Sequence, residues 1–363
     1  MVNFPQIISS SLEWTAAVLF RPFSPKKWLI LGFVALLAGQ LAGGGCNTSF
    51  NPRLDNKAKT GTKTADVLES GKSAVKKSPP ASQPIHKRFD RIIKDKKVLA
   101  LLIALFALLT VLFTWLYARF TFIFIADTVR NEFLIKLPFR KYRQVGNSLF
   151  IFNIFFGLFW LSALIGMGLM LVLRFKSTGL FSGALPLQPL AVLLAALPYI
   201  SALLIFLLAS GLVYLIVRDF VQVIMFKDGL NFVTAWKKSL NILGKNINDF
   251  ILYILVRICL GICAWVVSSI VYMIISLAVL MQGAFIILAA AFLYKLLPVS
   301  LHMPYAVGFI ILAAPALAFL AYCLICAYLP FAVFYRTFSL KFMASIAPEY
   351  NLFAKYTENG GLR

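Results

Sequence analysis

The chain has 363 residues, of which 61% are hydrophobic and only 13% are charged, roughly half the charged share of a soluble domain. Lys and Arg outnumber Asp and Glu by 35 to 13, a formal net charge of +22. That balance excludes an ordinary soluble globular protein. It points to an all-α, polytopic membrane bundle whose surplus cations face cytoplasmic loops and anionic lipid. Nucleic-acid binding would need a folded basic domain, and no stretch reads as one.

In chain order, residues 1–46 open with SSSLEWTAAVLFRPFSPKKW. Leu12, Ala16 and Phe20 align on one helical face, and Arg21, Lys26 and Lys27 precede a first apolar run, Trp28–Ala42. A crossing needs about 20 residues at 1.5 Å each, so this run is the shortest candidate. LAGGGC invites lipid attachment at Cys46, but Gly43 stands where a lipobox wants an aliphatic residue. Residues 47–88 form a basic linker too polar to offset its ordering entropy, and are expected to be disordered. Over 47–97 there are 13 Lys or Arg against five acids. Phe89, Ile92 and Ile93 then start a helix that runs on into the second span.

The membrane bundle, 89–347, carries spans near 98–117, 149–173, 190–217, 250–280 and 305–334. Together with 28–42 they make six. In LPFRKYRQVGNSLFIF, Pro138 is placed to begin a short helix with Phe139 and Tyr142 on one face and Arg140, Lys141 and Arg143 on the other. Gly146-Asn147 is expected to end that helix and Ser148 to cap the next. An apolar face opposite a basic one is the pattern of a helix lying in the headgroup plane. The pattern recurs in LNFVTAWKKSLNILGK, with Phe232, Trp236, Leu240 and Leu243 as the stripe and Lys237 and Lys238 off it. The first, third and fifth spans are thus each entered from a basic amphipathic helix. The even-numbered spans each run out to an arginine: Arg130, Arg218 and Arg336. Pro198 and Pro315 lie at like distances before the last two. A threefold repeat of surface helix, span and returning span is one reading; the ordinary basic and aromatic flanks of membrane helices are the other. The run after Phe250 continues to Tyr294, twice the length of one crossing, so a turn is expected at Gln282-Gly283, with 284–297 interfacial or re-entrant. Residues 348–363 form a tail.

Counted over six crossings and leaving 47–97 aside, Lys and Arg number 18 on the side of the termini against 3 on the other. This places both termini in the cytoplasm. The linker strains that count. Either it is translocated regardless, or 28–42 is re-entrant and five crossings remain.

LFRPFSPKKW, YRQVGNSLFIF, VRDFVQVIM with its following glycine and AW, and FYRTFSLKFMASIAPEYNLF resemble a family of bacterial multi-pass membrane proteins known only as a domain of unknown function. The family is distantly similar to the membrane portion of some glycerophosphodiester phosphodiesterases. The resemblance implies a six-helix bacterial inner-membrane protein and carries no activity or catalytic residue. The lysine-rich linker and the 284–297 insertion depart from it.

Asp127, Asp219 and Asp249 all fall near the ends of spans, whereas ion-coupled transporters keep a carboxylate near mid-membrane. The only histidines are His86 and His302, and no phosphate-binding or dinucleotide fingerprint occurs. The chain is therefore read as no enzyme, without cofactor or metal. Arg257, roughly 10 Å into the fifth span, either holds a lipid phosphate or anionic substrate, or snorkels or pairs with Asp127 or Asp219. Cys259 with Cys263, and Cys323 with Cys326, would make a soft-metal site only if their faces met; as small apolar residues they serve packing. The expected contacts for lipid headgroups or anions are Arg257, Arg140, Lys141, Arg143, Lys237, Lys238 and Arg218. The expected role is a scaffold or lipid- and partner-organising protein; the alternative is a facilitator for a small solute. RNA binding through the linker is disfavoured because aromatics are not interleaved with its lysines.

Overall fold

The computed structural model describes residues 2–41, 96–131, 136–177, 189–298 and 301–354. The 47–88 linker and Cys46 lie outside them. Among the described residues every element is helical. They are α1 (Phe4–Phe20), α2 (Pro25–Leu37), α3 (Lys96–Arg130), α4 (Lys136–Lys141), α5 (Arg143–Ser177), α6 (Pro189–Ile216), a π turn (Val217–Val221), α7 (Gln222–Asp228), α8 (Phe232–Lys245), α9 (Ile247–Leu296), α10 (His302–Cys326) and α11 (Leu329–Ile346), closed by a 3₁₀ turn (Pro348–Tyr350). Two units emerge: Met1–Cys46 with Phe113–Arg363, and Asn47–Leu112. In the second, residues 97–112 are largely exposed helix.

Five helices are long and apolar enough to cross a membrane: Lys97–Arg130, Arg143–Arg174, Ala196–Asp228, Ile247–Leu296 and Met303–Cys323. The chain is an all-α polytopic membrane bundle. The sixth expected crossing falls on α2, which has 13 residues and so spans about 20 Å, short of a hydrocarbon core of about 30 Å.

Burial in the larger unit is uneven along these helices. One continuous core joins Phe4–Ala38 of α1 and α2, Ala118–Val129 of α3, Tyr142–Leu149 at the start of α5, Ile216–Met225 around the π turn, Phe232–Tyr253 of α8 and α9, and Leu329–Phe353 of α11 and its tail. The apolar shafts beyond that core are exposed: Phe155, Leu158 and Phe159 on α5, Leu204 and Ile205 on α6, Leu277, Leu280 and Phe285 on α9, and Ile311 and Leu312 on α10. In a bilayer those side chains meet lipid at no cost, whereas the head must bury its own apolar surface against itself. α1 closes the head by packing along α11, with Phe4 stacked on Phe342 at 5.7 Å, and Trp14 Nε1 donating to the Thr128 carbonyl at 3.0 Å.

Four expectations need correction. The fifth span does not turn at Gln282-Gly283; α9 is one helix of 50 residues, about 75 Å long. A lone glycine costs a helix only about 1 kcal/mol, and the apolar side chains on either side continue the helical run. The last span breaks at Ala327–Tyr328, ahead of Pro330 in the first turn of α11. The short basic helix ends at Tyr142, whose buried ring stacks on Phe122 and Phe226 at 6.3 and 5.0 Å; Gly146 and Asn147 belong to α5. Ser148 caps a distant helix instead: the Phe232 amide at the start of α8 donates to its hydroxyl at 2.8 Å. On α1 the stripe Leu12, Ala16, Phe20 is turned away from the packed core. Leu12 and Phe20 are exposed, and Ile7, Trp14 and Val18 face the core.

Candidate functional site

The expected site residues separate into three places. Arg218 and Arg257 enter a buried polar cluster. Arg140, Lys141 and Arg143 lie exposed at the α4–α5 junction. Lys237 and Lys238 are exposed on α8, where Lys238 pairs with Asp228 at 2.8 Å. The hydrogen bonds to Asp228 and then to the Tyr350 hydroxyl raise the Lys238 pKa well above its ordinary value.

The buried cluster is built on the π turn that ends α6. A π turn interrupts the i→i−4 ladder, and here Arg336 of α11 donates through Nη1 to the Arg218 carbonyl. Its Nη2 donates to Gln222 Oε1 at 3.2 Å. Arg218 Nη2 in turn donates to Gln40 Oε1 at 2.7 Å. Gln40 reaches that position because Gly39 takes a left-handed turn at φ 61°, where a Cβ would also stand 2.9 Å from the Tyr117 ring. Asp219 accepts from the Tyr253 hydroxyl at 2.9 Å and pairs with Arg257 Nε at 3.0 Å. The Tyr253 ring is held by Phe342 and Phe338, at 4.3 and 5.5 Å. Arg257 therefore takes the ion-pair alternative, with Asp219 as its partner.

Three guanidinium groups surround one carboxylate in this cluster. Neutral acceptors take up the remainder: two glutamine carbonyls and one backbone carbonyl. Burial draws the Arg336 guanidinium down to a pKa of about 10. Desolvating such charges is costly, and removing a single partner strands the rest. The cluster ties the end of α2, the π turn, α9 and α11 to one another, and its chemistry is that of an anchor.

Arg119, Arg218 and Arg336 are the buried arginines among the described residues. Arg119 and Arg218 stand where an exposed shaft enters the head, Arg336 lies within the buried run of α11, and buried phenylalanines follow each: Phe120 and Phe122, Phe220, Phe338. Arg130 closes α3, and Arg119 is a second, buried arginine on the same helix. Sequence reasoning passed over Arg119 because it follows the apolar run directly, while Arg130 sits farther out beside Asn131. The recurring arginine-then-phenylalanine pattern was the signal available. Gln40 and Tyr253 carried none, since their partners lie far off in sequence.

Around Arg119 lies a cleft of about 360 Å³, lined by Trp115, Arg119, Phe139, Arg140 and Arg143. The Arg119 guanidinium sits between two rings, 4.3 Å from the Trp115 centroid and 4.8 Å from that of Phe139. Its Nη2 donates to Asn147 Oδ1 at 3.2 Å. Gly146 admits its stem: a Cβ there would lie 3.0 Å from Arg119 Cγ.

The cysteine faces do not converge. Cys259 and Cys263 are exposed and Cys326 is buried, its sulfur occupying the space a side chain at Gly32 would need. Among the described residues no three of His, Cys, Asp and Glu come together.

No curated protein and no solved structure matches the chain, and nothing links it to the glycerophosphodiester phosphodiesterases. One family does match, from residue 6 to residue 353, and by that match the chain belongs to the DUF7544 family of unknown function.

Proposed function

We propose that the protein is a non-enzymatic inner-membrane scaffold that organises anionic lipid, and through it partner proteins, around a basic head. The observation carrying this reading is the division of each long helix. Exposed apolar shafts give way to one packed core, and exposed cations, Arg140, Lys141, Arg143 and Lys237, lie on the segments that build it. Such cations at the base of lipid-facing helices meet phosphate headgroups. The unburied stripe of α1, Leu12 and Phe20, continued by exposed Phe23, adds an apolar contact beside Arg21 and Lys26. Six crossings, with the Trp28–Ala42 segment completing the first, put both termini on the cytoplasmic side in this reading.

Extraction of the protein with its lipid annulus into polymer-bounded nanodiscs tests the reading. Lipid analysis should find the annulus enriched in anionic headgroups over the bulk membrane. An annulus of bulk composition overturns it.

A facilitator for a small solute is the second reading. In its favour, the two returning helices contain Pro198 and Pro315, residues that bend a helix and free backbone carbonyls. Solute-dependent swelling of vesicles containing the protein would decide for it.

A further inference from the structure

The cleft around Arg119 has the features of a discrete anion receptor. We infer that it binds the phosphodiester of one anionic lipid headgroup, with Arg119 as its floor and Arg140 and Arg143 as its rim. The inference rests on the lipid-organising reading and makes it specific: one stoichiometric site rather than a diffuse basic surface.

Several observations converge on it. Arg119 is buried, at 7% exposure, and among the described residues it forms no ion pair. Its single hydrogen-bond partner there is neutral Asn147, and its Nε is buried with none. A buried guanidinium without a counter-ion is costly, and the rim adds two further guanidinium groups rather than a carboxylate. The planar N–H fork of arginine matches the paired oxygens of a phosphate. Three such forks around a cleft of about 360 Å³ leave room for one headgroup. The walls are aromatic: Trp115 and Phe139 meet edge to face at 5.9 Å and hold Arg119 by cation–π contact. They prevent its side chain from swinging out to water.

The depth of the cleft favours a lipid over a soluble anion. On α3, residues 99–113 are exposed, 114–117 half-buried and 118–129 buried. Trp115 and Arg119 straddle that change, which is where the shaft leaves hydrocarbon and the head begins. Tryptophan settles at this level of a bilayer, and lipid phosphates lie there too. Phe139 and Trp115 then offer apolar surface to the first carbons below the glycerol.

The test is native mass spectrometry of the full chain released from mixed phosphatidylglycerol and phosphatidylcholine micelles. Wild type should retain one phosphatidylglycerol per chain. Arg140→Gln/Arg143→Gln, two exposed positions that leave the fold intact, should weaken retention by about tenfold, the scale of one charge-assisted hydrogen bond. Lys227→Gln/Lys245→Gln removes the same charge from exposed positions on α7 and α8 and should leave it unchanged. Arg119→Lys should fall between wild type and Arg119→Gln. Equal loss in both double variants overturns the site while leaving a general lipid role standing. Loss of neither, together with no preference for phosphatidylglycerol, overturns both. If inorganic phosphate displaces the lipid at equal concentration, the site takes free anions and the headgroup assignment fails.

Discussion

Asp219 on the π turn lies 3.0 Å from the Arg257 guanidinium of α9 and accepts the Tyr253 hydroxyl on the same oxygen. Its side chain is 2% exposed, that of Arg257 11%. Arg218 and Arg336 add two more guanidinium groups nearby, so this one carboxylate carries the balancing charge of the cluster.

Asp219→Asn should therefore be among the most damaging single changes in the head. Stranding a buried partner costs about 3–5 kcal/mol. Thermal unfolding in detergent should show that loss. Arg257→Leu in the Asp219→Asn background should recover part of it, because the stranded charge is removed as well.

Gly146 and Gly244 offer a matched pair. Around Gly146 the Arg119 stem leaves no room, whereas nothing lies within 4 Å of a Cβ at Gly244. Gly146→Val should destabilise by roughly 1–3 kcal/mol through overpacking and should loosen phosphatidylglycerol retention. Gly244→Ala should stabilise by up to about 1 kcal/mol through helix propensity. Unfolding curves of the two variants check both signs.

Lys341 joins α11 to α1. Its ammonium donates to the Ser10 carbonyl at 2.6 Å and lies over the rings of Trp14 and Phe353, 5.9 and 5.7 Å from their centroids. Burial lowers its pKa from 10.5 to about 8, against a smaller upward pull from Glu13. Between those values the unfolded chain binds more protons than the folded one, so this residue makes stability rise with pH from about 8 to 10. Lys341→Met should abolish that slope. The comparison is best taken below pH 10, because Tyr335, whose phenol burial pushes up to about 12, makes stability fall above that point.

Ser148→Ala removes the acceptor at the Phe232 amide. The loss of a cap costs about 1 kcal/mol. The effect should be local: hydrogen exchange should quicken over the first turn of α8 and stay unchanged in α11.

The spans were legible because a long apolar run has few other fates in a chain this greasy. Five of the six segments named from sequence fall on helices of spanning length, and the basic entries to α5 and α9 stand where spacing put them. What escaped depended on distant partners. Tyr142 rather than Gly146 ends the short basic helix because Phe122 and Phe226 trap its ring. Ser148 caps α8 because folding brings Phe232 to it across 84 positions. Arg119 looked like the flank of a span; its enclosure by Trp115, Phe139 and Asn147 marks it out. The unbroken course of α9 likewise escaped, since Gln282-Gly283 reads as a breaker only where the chain gains something by turning.

The pairing of α1 with α11 sets an order for biogenesis. Lys341 and Ser10 are 331 positions apart, and the ring stacked on Phe4 belongs to Phe342. α1 is thus covered by an element that is synthesised well after it. Until synthesis reaches α11, Phe4, Trp14 and Val18 have no permanent shelter, and the insertion machinery must tolerate or shield that face throughout. A nascent chain halted before Leu329 leaves that face of α1 uncovered.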